Sequence, residues 1–186
     1  MSVQLLRRSF TVEEYYRMAE AGILTEDDRV ELIEGEIVKM TPVGSRHAAC
    51  VDRLTRLFSA SIHGQAIVRV QNPIRLSERS EPQPDLALLR FRPDFYASSH
   101  PGPEDVLLVV EVAETSVNLD REIKLPLYAR SGIVEAWLVD LAGQQLEVCL
   151  RPTARGYEEV QRVRRGARVR SQAFPDLDLG VDEILG

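Results

Sequence analysis

Three side chains in this sequence have types and spacing that could do chemistry together: Asp85 of Pro84-Asp85, Glu111 of Glu111-Val112-Ala113, and Lys124. Two carboxylates on neighbouring strands can share a hard divalent ion such as Mg²⁺, which takes oxygen ligands. The ion lowers the pKa of a bound water, and an ammonium nearby stabilises charge developing at phosphorus. These are the parts of metal-assisted phosphodiester hydrolysis. A lysine two residues after Glu111 would share its strand face, but that position is Ala113. Lys124 is the residue of the right type to fill the gap.

The elements around the acids decide whether they can meet. Asp85–Arg90 and Val106–Ala113 read as strands joined through a connector containing Pro93, Pro101, Gly102 and Pro103. An antiparallel register with Asp85 opposite Glu111 puts Arg90 opposite Val106, and directly opposed residues share a face. Glu111 interrupts an apolar run, Val106-Leu107-Leu108-Val109-Val110 before it and Val112-Ala113 after it. Partial burial is expected there, and an unpaired buried carboxylate is expensive. The competing reading, in which each acid ends its strand in solvent, fits Asp85 better than Glu111.

The remaining chain supplies a scaffold. Thr11 with Glu14 predicts a capping box opening a helix that ends at Gly22. Residues 29–33 and 36–40 predict a hairpin turning at Glu34-Gly35. Val51, Leu54, Leu57, Phe58 and Ile62 mark a helix from about His47 to Ile62. Strands are expected at 66–76, 135–140 and 145–150, a helix at 119–130, and a late hairpin over 157–170 around Arg165-Gly166. This order predicts an α/β fold, a central mixed sheet flanked by helices. At 186 residues with no linker or repeat, the chain reads as one domain, 1–186, with its core at about 46–140.

Composition excludes some classes. The net charge of −6 argues against a general nucleic-acid coat protein. Of the 23 basic residues only Lys39 and Lys124 are lysine, leaving 21 arginines, so a lysine at position 124 is informative. No apolar run approaches the length of a membrane span, and Met1–Phe10 has no signal-peptide core, so a cytoplasmic protein is expected. Cys50 and Cys149 lack metal-ligand spacing and read as buried free thiols. No His/Cys cluster has zinc spacing.

A family resemblance is carried by Phe10-Thr11-Val12-Glu13-Glu14-Tyr15, Glu31-Leu32-Ile33-Glu34-Gly35-Glu36, Arg46-His47, Pro84-Asp85, Val110-Glu111-Val112, Asp120-Arg121-Glu122-Ile123-Lys124 and Tyr128-Ala129-Arg130-Ser131-Gly132-Ile133. In this order they resemble the Uma-type restriction endonuclease family of the PD-(D/E)XK nuclease superfamily, from about Phe10 to Asp140. The resemblance implies a restriction-endonuclease-like fold, with the N-terminal helix and hairpin and the C-terminal strands added to it. It implies Mg²⁺ or Mn²⁺ held by Asp85, Glu111 and the backbone carbonyl of Val112, with Lys124 as a catalytic lysine moved onto a helix. Glu31 and His47 match further site positions. DNA is the implied substrate, cut by direct attack of a metal-bound water, and double-strand cutting implies a homodimer. Where the family often carries a Ser-Pro-Ser-like stretch after Glu-Val, this chain reads Ala113-Glu114-Thr115-Ser116.

Bland readings stand beside these. Asp120, Arg121, Glu122 and Lys124 would also suit one solvated helix face with i,i+4 pairing, and Pro126 would kink that helix or start it afresh. His47 would suit a helix start, and Glu31 a surface strand. Arg151, Arg155, Arg162, Arg164, Arg165, Arg168 and Arg170 would suit a DNA-binding surface, but equally solvated edge arginines that block sheet aggregation. Two other function classes stay open: an inactive nucleic-acid-binding or assembly protein on the nuclease fold, and a hydrolase of small phosphate esters.

Overall fold

The computed structural model describes residues 8–25 and 27–186, so the part of the signal-peptide expectation that rests on residues 1–7 lies outside the described residues. Six strands form the central sheet, in spatial order β3 (Ala66–Val70), β4 (Leu86–Arg90), β5 (Val106–Ala113), β6 (Glu135–Asp140), β7 (Gln145–Thr153) and β8 (Gly156–Arg164). Neighbours are antiparallel except β5 and β6, which are parallel. A parallel pair needs a long crossover. Here it is a helical segment made of α3 (Val117–Leu119), a π-helical turn (Asp120–Lys124) and α4 (Leu125–Arg130).

β4, β5 and β6 are nearly continuous apolar runs because both faces of the sheet are covered. On one face Leu86, Leu88, Val110 and Val112 join a cluster with Val51, Leu54 and Phe58 of α2 (Ser45–Ser61) and Ile184 of α5 (Val181–Leu185). On the other, Ala87, Leu89, Val109 and Ala113 join Leu125, Leu127 and Tyr128. The expected mixed α/β architecture is therefore present, with the helices dividing between two faces.

The N-terminal additions follow their local signals. Thr11 and Glu14 form the capping box of α1 (Val12–Glu20). Strands β1 (Val30–Ile33) and β2 (Glu36–Lys39) pair around Glu34 and Gly35, whose φ values of 51° and 82° are those of a tight hairpin turn. The hairpin docks through the Glu81 N–H donating to the Leu32 carbonyl (2.8 Å) and an Arg130–Glu34 ion pair (2.7 Å). Cys50 on α2 and Cys149 on β7 are buried free thiols, and burial raises both.

Three expectations change. The strand predicted over 66–76 stops at Val70, because Gln71 takes a φ of 46° that turns the chain out of the ladder and Pro73 has no N–H to donate. The turn at Arg165-Gly166 forms, but its flanks do not pair with each other. β8 instead pairs along its length with β7, and β9 (Arg168–Arg170) pairs with β10 (Asp178–Gly180). Nine-residue strands satisfy more backbone groups with one another than β8 could with the three of β9. Finally, the predicted β4–β5 register holds from Leu86↔Val110 to Leu88↔Leu108 and then slips at a bulge, so Leu89 rather than Arg90 lies opposite Val106.

Candidate active site

The register that survives is the part that matters for the acids. Continued one step past Leu86↔Val110 it brings Asp85 opposite Glu111, and the Gln71 N–H donating to the Asp85 carbonyl (3.0 Å) shows that Asp85 still follows the sheet. Both side chains lie on the α4 side of the sheet, at the end where β4 begins. Asp85 is held from three directions: Oδ2 accepts from the Val112 N–H (2.8 Å) and contacts His47 Nε2 (3.0 Å), while Oδ1 accepts from Gln71 Nε2 (3.2 Å). A strand residue turns its N–H and C=O to the same edge, so the Val112 carbonyl faces the β4 side too. Pro84, next in register there, has no N–H to claim it.

Lys124 is the decisive placement. Its Nζ lies 3.2 Å from Glu31 Oε1 and 3.3 Å from Glu111 Oε1, and the residue is only 5% exposed. The solvated-face reading of this helix therefore fails for Asp120 and Lys124, both buried, and describes only the residues between them. The π-turn shares in the arrangement: the Leu125 N–H reaches back five residues to the Asp120 carbonyl, just before Pro126, which has no N–H and sits in the first turn of α4. The helix neither breaks nor restarts. Asp120, Lys124 and Tyr128 are all buried and face the acids.

Glu31, on β1, is likewise buried. Its Oε2 accepts from the Gln83 N–H (3.0 Å) while Oε1 meets Lys124. His47, in the first turn of α2, reaches Asp85, whose hydrogen bond holds the imidazole above its ordinary value against the effect of burial. Its Nδ1 is buried without a hydrogen-bond partner. All five predicted side chains, Asp85, Glu111, Lys124, Glu31 and His47, thus line one pocket of about 180 Å³, together with Val112.

Two contributors were not assigned from sequence. Asp120 lines the same pocket, its Oδ2 accepting from Ser116 Oγ (2.8 Å), so the stretch that departs from the family pattern supplies a hydrogen bond of its own. Tyr128 donates its hydroxyl to Glu111 Oε1 at 2.5 Å. The spacing of Asp120, Lys124 and Tyr128 by four was the available signal, since residues four apart share a helix face.

The electrostatics are lopsided. Glu31, Asp85, Glu111 and Asp120 surround one buried cation, Lys124, while Arg29 and Lys39 line the pocket from its exposed rim. Burial pushes Glu111 well above the ordinary carboxylate range; Lys124 opposes this, and Asp120, Asp85 and Glu31 add to it. Burial also raises Asp120. For Lys124 burial acts downward, but Glu111, Glu31 and Asp120 outweigh it and raise the ammonium. Among the described residues no three His, Cys, Asp or Glu side chains converge as a ready-made metal cage. Two carboxylates, a backbone carbonyl and solvent are a donor set suited to Mg²⁺, which keeps several waters and takes one or two carboxylates.

The chain was compared with known proteins. Residues 12–182 match the model of the Uma2 family, described as "Putative restriction endonuclease". No match was found among curated proteins. Among solved structures, a protein from Anabaena variabilis ATCC 29413, titled "a putative nuclease belonging to DUF820", is similar with a TM-score of 0.72 at 15% sequence identity, over 95% of this chain and 97% of that one. At that identity the likeness concerns the fold. The family match spans most of the chain and contains every pocket residue named above, so this protein belongs to the Uma2 family.

Proposed function

We propose that this chain is a divalent-metal-dependent endonuclease that hydrolyses DNA phosphodiester bonds. One observation carries the reading: Glu31, Asp85, Glu111 and Asp120 share a solvent-reaching pocket in which Lys124 is the one buried cation among the described residues, an arrangement that a bound cation would relieve. The family description and the neighbour's title support the nuclease part of this reading. When bound, Mg²⁺ or Mn²⁺ supplies Lewis-acid charge and lowers the pKa of water.

The residues divide the remaining tasks. Asp85 and Glu111 would hold the ion with their carboxylates, and Val112 with its carbonyl. Lys124 would neutralise charge developing on the scissile phosphate. Glu31 is its anchor: fixed by the Gln83 N–H, it keeps the ammonium in the pocket when Glu111 shares its charge with the ion. His47 and Gln71 hold Asp85 in its rotamer. Arg29 and Lys39 line the mouth, where they would meet backbone phosphates. Cutting both strands of a duplex calls for two such sites, hence a homodimer.

The test is a supercoiled plasmid incubated with purified protein and Mn²⁺. Nicking is expected from the wild type and none from folded Asp85→Ala, Glu111→Ala or Lys124→Ala. Cleavage surviving in Glu111→Ala would sink the proposed site. Salt-sensitive DNA binding without cleavage in any divalent ion would instead mark a non-catalytic relative, and turnover of a model phosphodiester alone a small-ester hydrolase.

A further inference from the structure

A tyrosine packed into the fold must place its hydroxyl somewhere; the exposed Tyr16 donates to Glu81, and three of the other four use the backbone. Tyr15 donates to the Val30 carbonyl (3.0 Å), Tyr96 to that of Arg90 (2.8 Å) and Tyr157 to that of Ile133 (2.8 Å). Tyr128 does not. It is fully buried in the apolar cluster of the α4 face, yet its hydroxyl meets Glu111 Oε1, the oxygen that also meets Lys124. With Oε1 engaged by both donors, the carboxylate has a fixed rotamer and Oε2 is the oxygen left for other partners. Its ring is locked by packing against the sheet and α4, so the hydroxyl cannot follow Glu111 elsewhere. A rigid donor of this kind orients a ligand before the ion arrives.

We propose that Tyr128 is a positioning residue for the metal site, holding the Glu111 carboxylate so that its second oxygen is presented to a divalent ion. This rests on the reading of Asp85 and Glu111 as metal ligands. It adds that the core of the protein, through one phenol, sets the geometry of the site.

The test compares two deletions of a single oxygen atom. Tyr128→Phe removes the hydroxyl at Glu111; Tyr157→Phe removes one, on β8, bonded to the backbone carbonyl of Ile133 between α4 and β6. Both keep the ring, and circular dichroism and thermal unfolding without metal establish that each variant is folded. Mn²⁺ affinity is then measured by titration calorimetry without DNA, with the Mn²⁺-induced rise in Tm as a second reading. Loss of an outer hydrogen bond to a metal ligand costs about 10–100-fold in affinity, so Tyr128→Phe is expected to bind Mn²⁺ about that much more weakly while Tyr157→Phe binds as the wild type does. Equal affinity in Tyr128→Phe and the wild type overturns the positioning role and leaves the metal site standing. Equal weakening in both variants also overturns it, because a general loss of stability would then be the cause. Wild-type Mn²⁺ binding that is absent, or unchanged by Glu111→Gln, overturns the underlying metal site and this inference with it.

Discussion

Acids and bases meet in two parts of this molecule on opposite terms. Along the C-terminal strands Arg168 pairs with Asp178 and Glu183, Arg170 with Asp178, Arg165 with Asp182, and Arg151 with Glu159. These pairs are largely exposed and roughly matched in charge, so water does most of the screening and each is worth about 0–1 kcal/mol. In the pocket beneath the β1–β2 hairpin Glu31, Glu111 and Asp120 are buried with Lys124, beside the partly buried Asp85, so the acids outnumber the buried cation. Coulomb energies are larger there and desolvation is severe. The difference separates charge that merely keeps a surface solvated from charge that is held at a cost. Only the second kind suits a site that must capture a cation.

The largest effect should come from removing Lys124, the one buried cation among the described residues. Lys124→Met leaves Glu111 and Glu31 without their counterion and should destabilise the metal-free protein by about 3–5 kcal/mol, read from urea unfolding at neutral pH. A loss below about 1 kcal/mol, the scale of the exposed pairs, would erase the contrast.

Next is the pH dependence of the metal-free protein. Glu111 and Asp120 are raised in the folded state by burial, so the fold binds more protons than the unfolded chain above the ordinary values of 4.5 and 3.8. Stability contributed by their protonated forms is present below those values and is lost as pH rises through the folded-state values. Denaturation midpoints should therefore fall as pH rises above the ordinary carboxylate range. Glu111→Gln should flatten that fall, and Mn²⁺ should offset it by binding the native state. A rise there in the metal-free wild type would contradict the assignment.

DNA binding should discriminate the two regions more gently. Arg29 and Lys39 line the pocket mouth. Replacing either by Ala should weaken binding and lower the slope of log affinity against log salt by about 1, whereas Arg170→Ala, whose guanidinium already pairs with Asp178, should barely move it. The smallest effect is that same Arg170→Ala on stability, within about 1 kcal/mol by thermal unfolding. The ion-paired state of most of these arginines favours the solvated-edge reading over a DNA-binding surface.

Much of this was legible in the residues. Thr11-x-x-Glu14 marked the first helix because capping is local, and the apolar runs of β4, β5 and β6 marked buried strands because both their faces are covered. The pairing of Asp85 with Glu111 followed from counting along two strands, although counting could not foresee the bulge after Leu88, which depends on how the sheet twists. The β8 partner was misread for a related reason. Alternation describes one strand, whereas the choice between β7 and β9 depends on total ladder length.

The sequence by itself determined which chemistry was available: two carboxylates on strand ends, a displaced lysine, and an order of motifs shared with the Uma2 family. Only the tertiary structure decided where the lysine points. Asp120, Lys124 and Tyr128 are spaced for one helix face, but spacing cannot say whether that face meets water or the sheet. Packing of Leu125, Leu127 and Tyr128 against the sheet turned it inward, and burial then changed ordinary polar residues into a coupled set. Desolvation is a property of the assembled fold, not of any residue, and it is what couples the charges of this pocket so strongly.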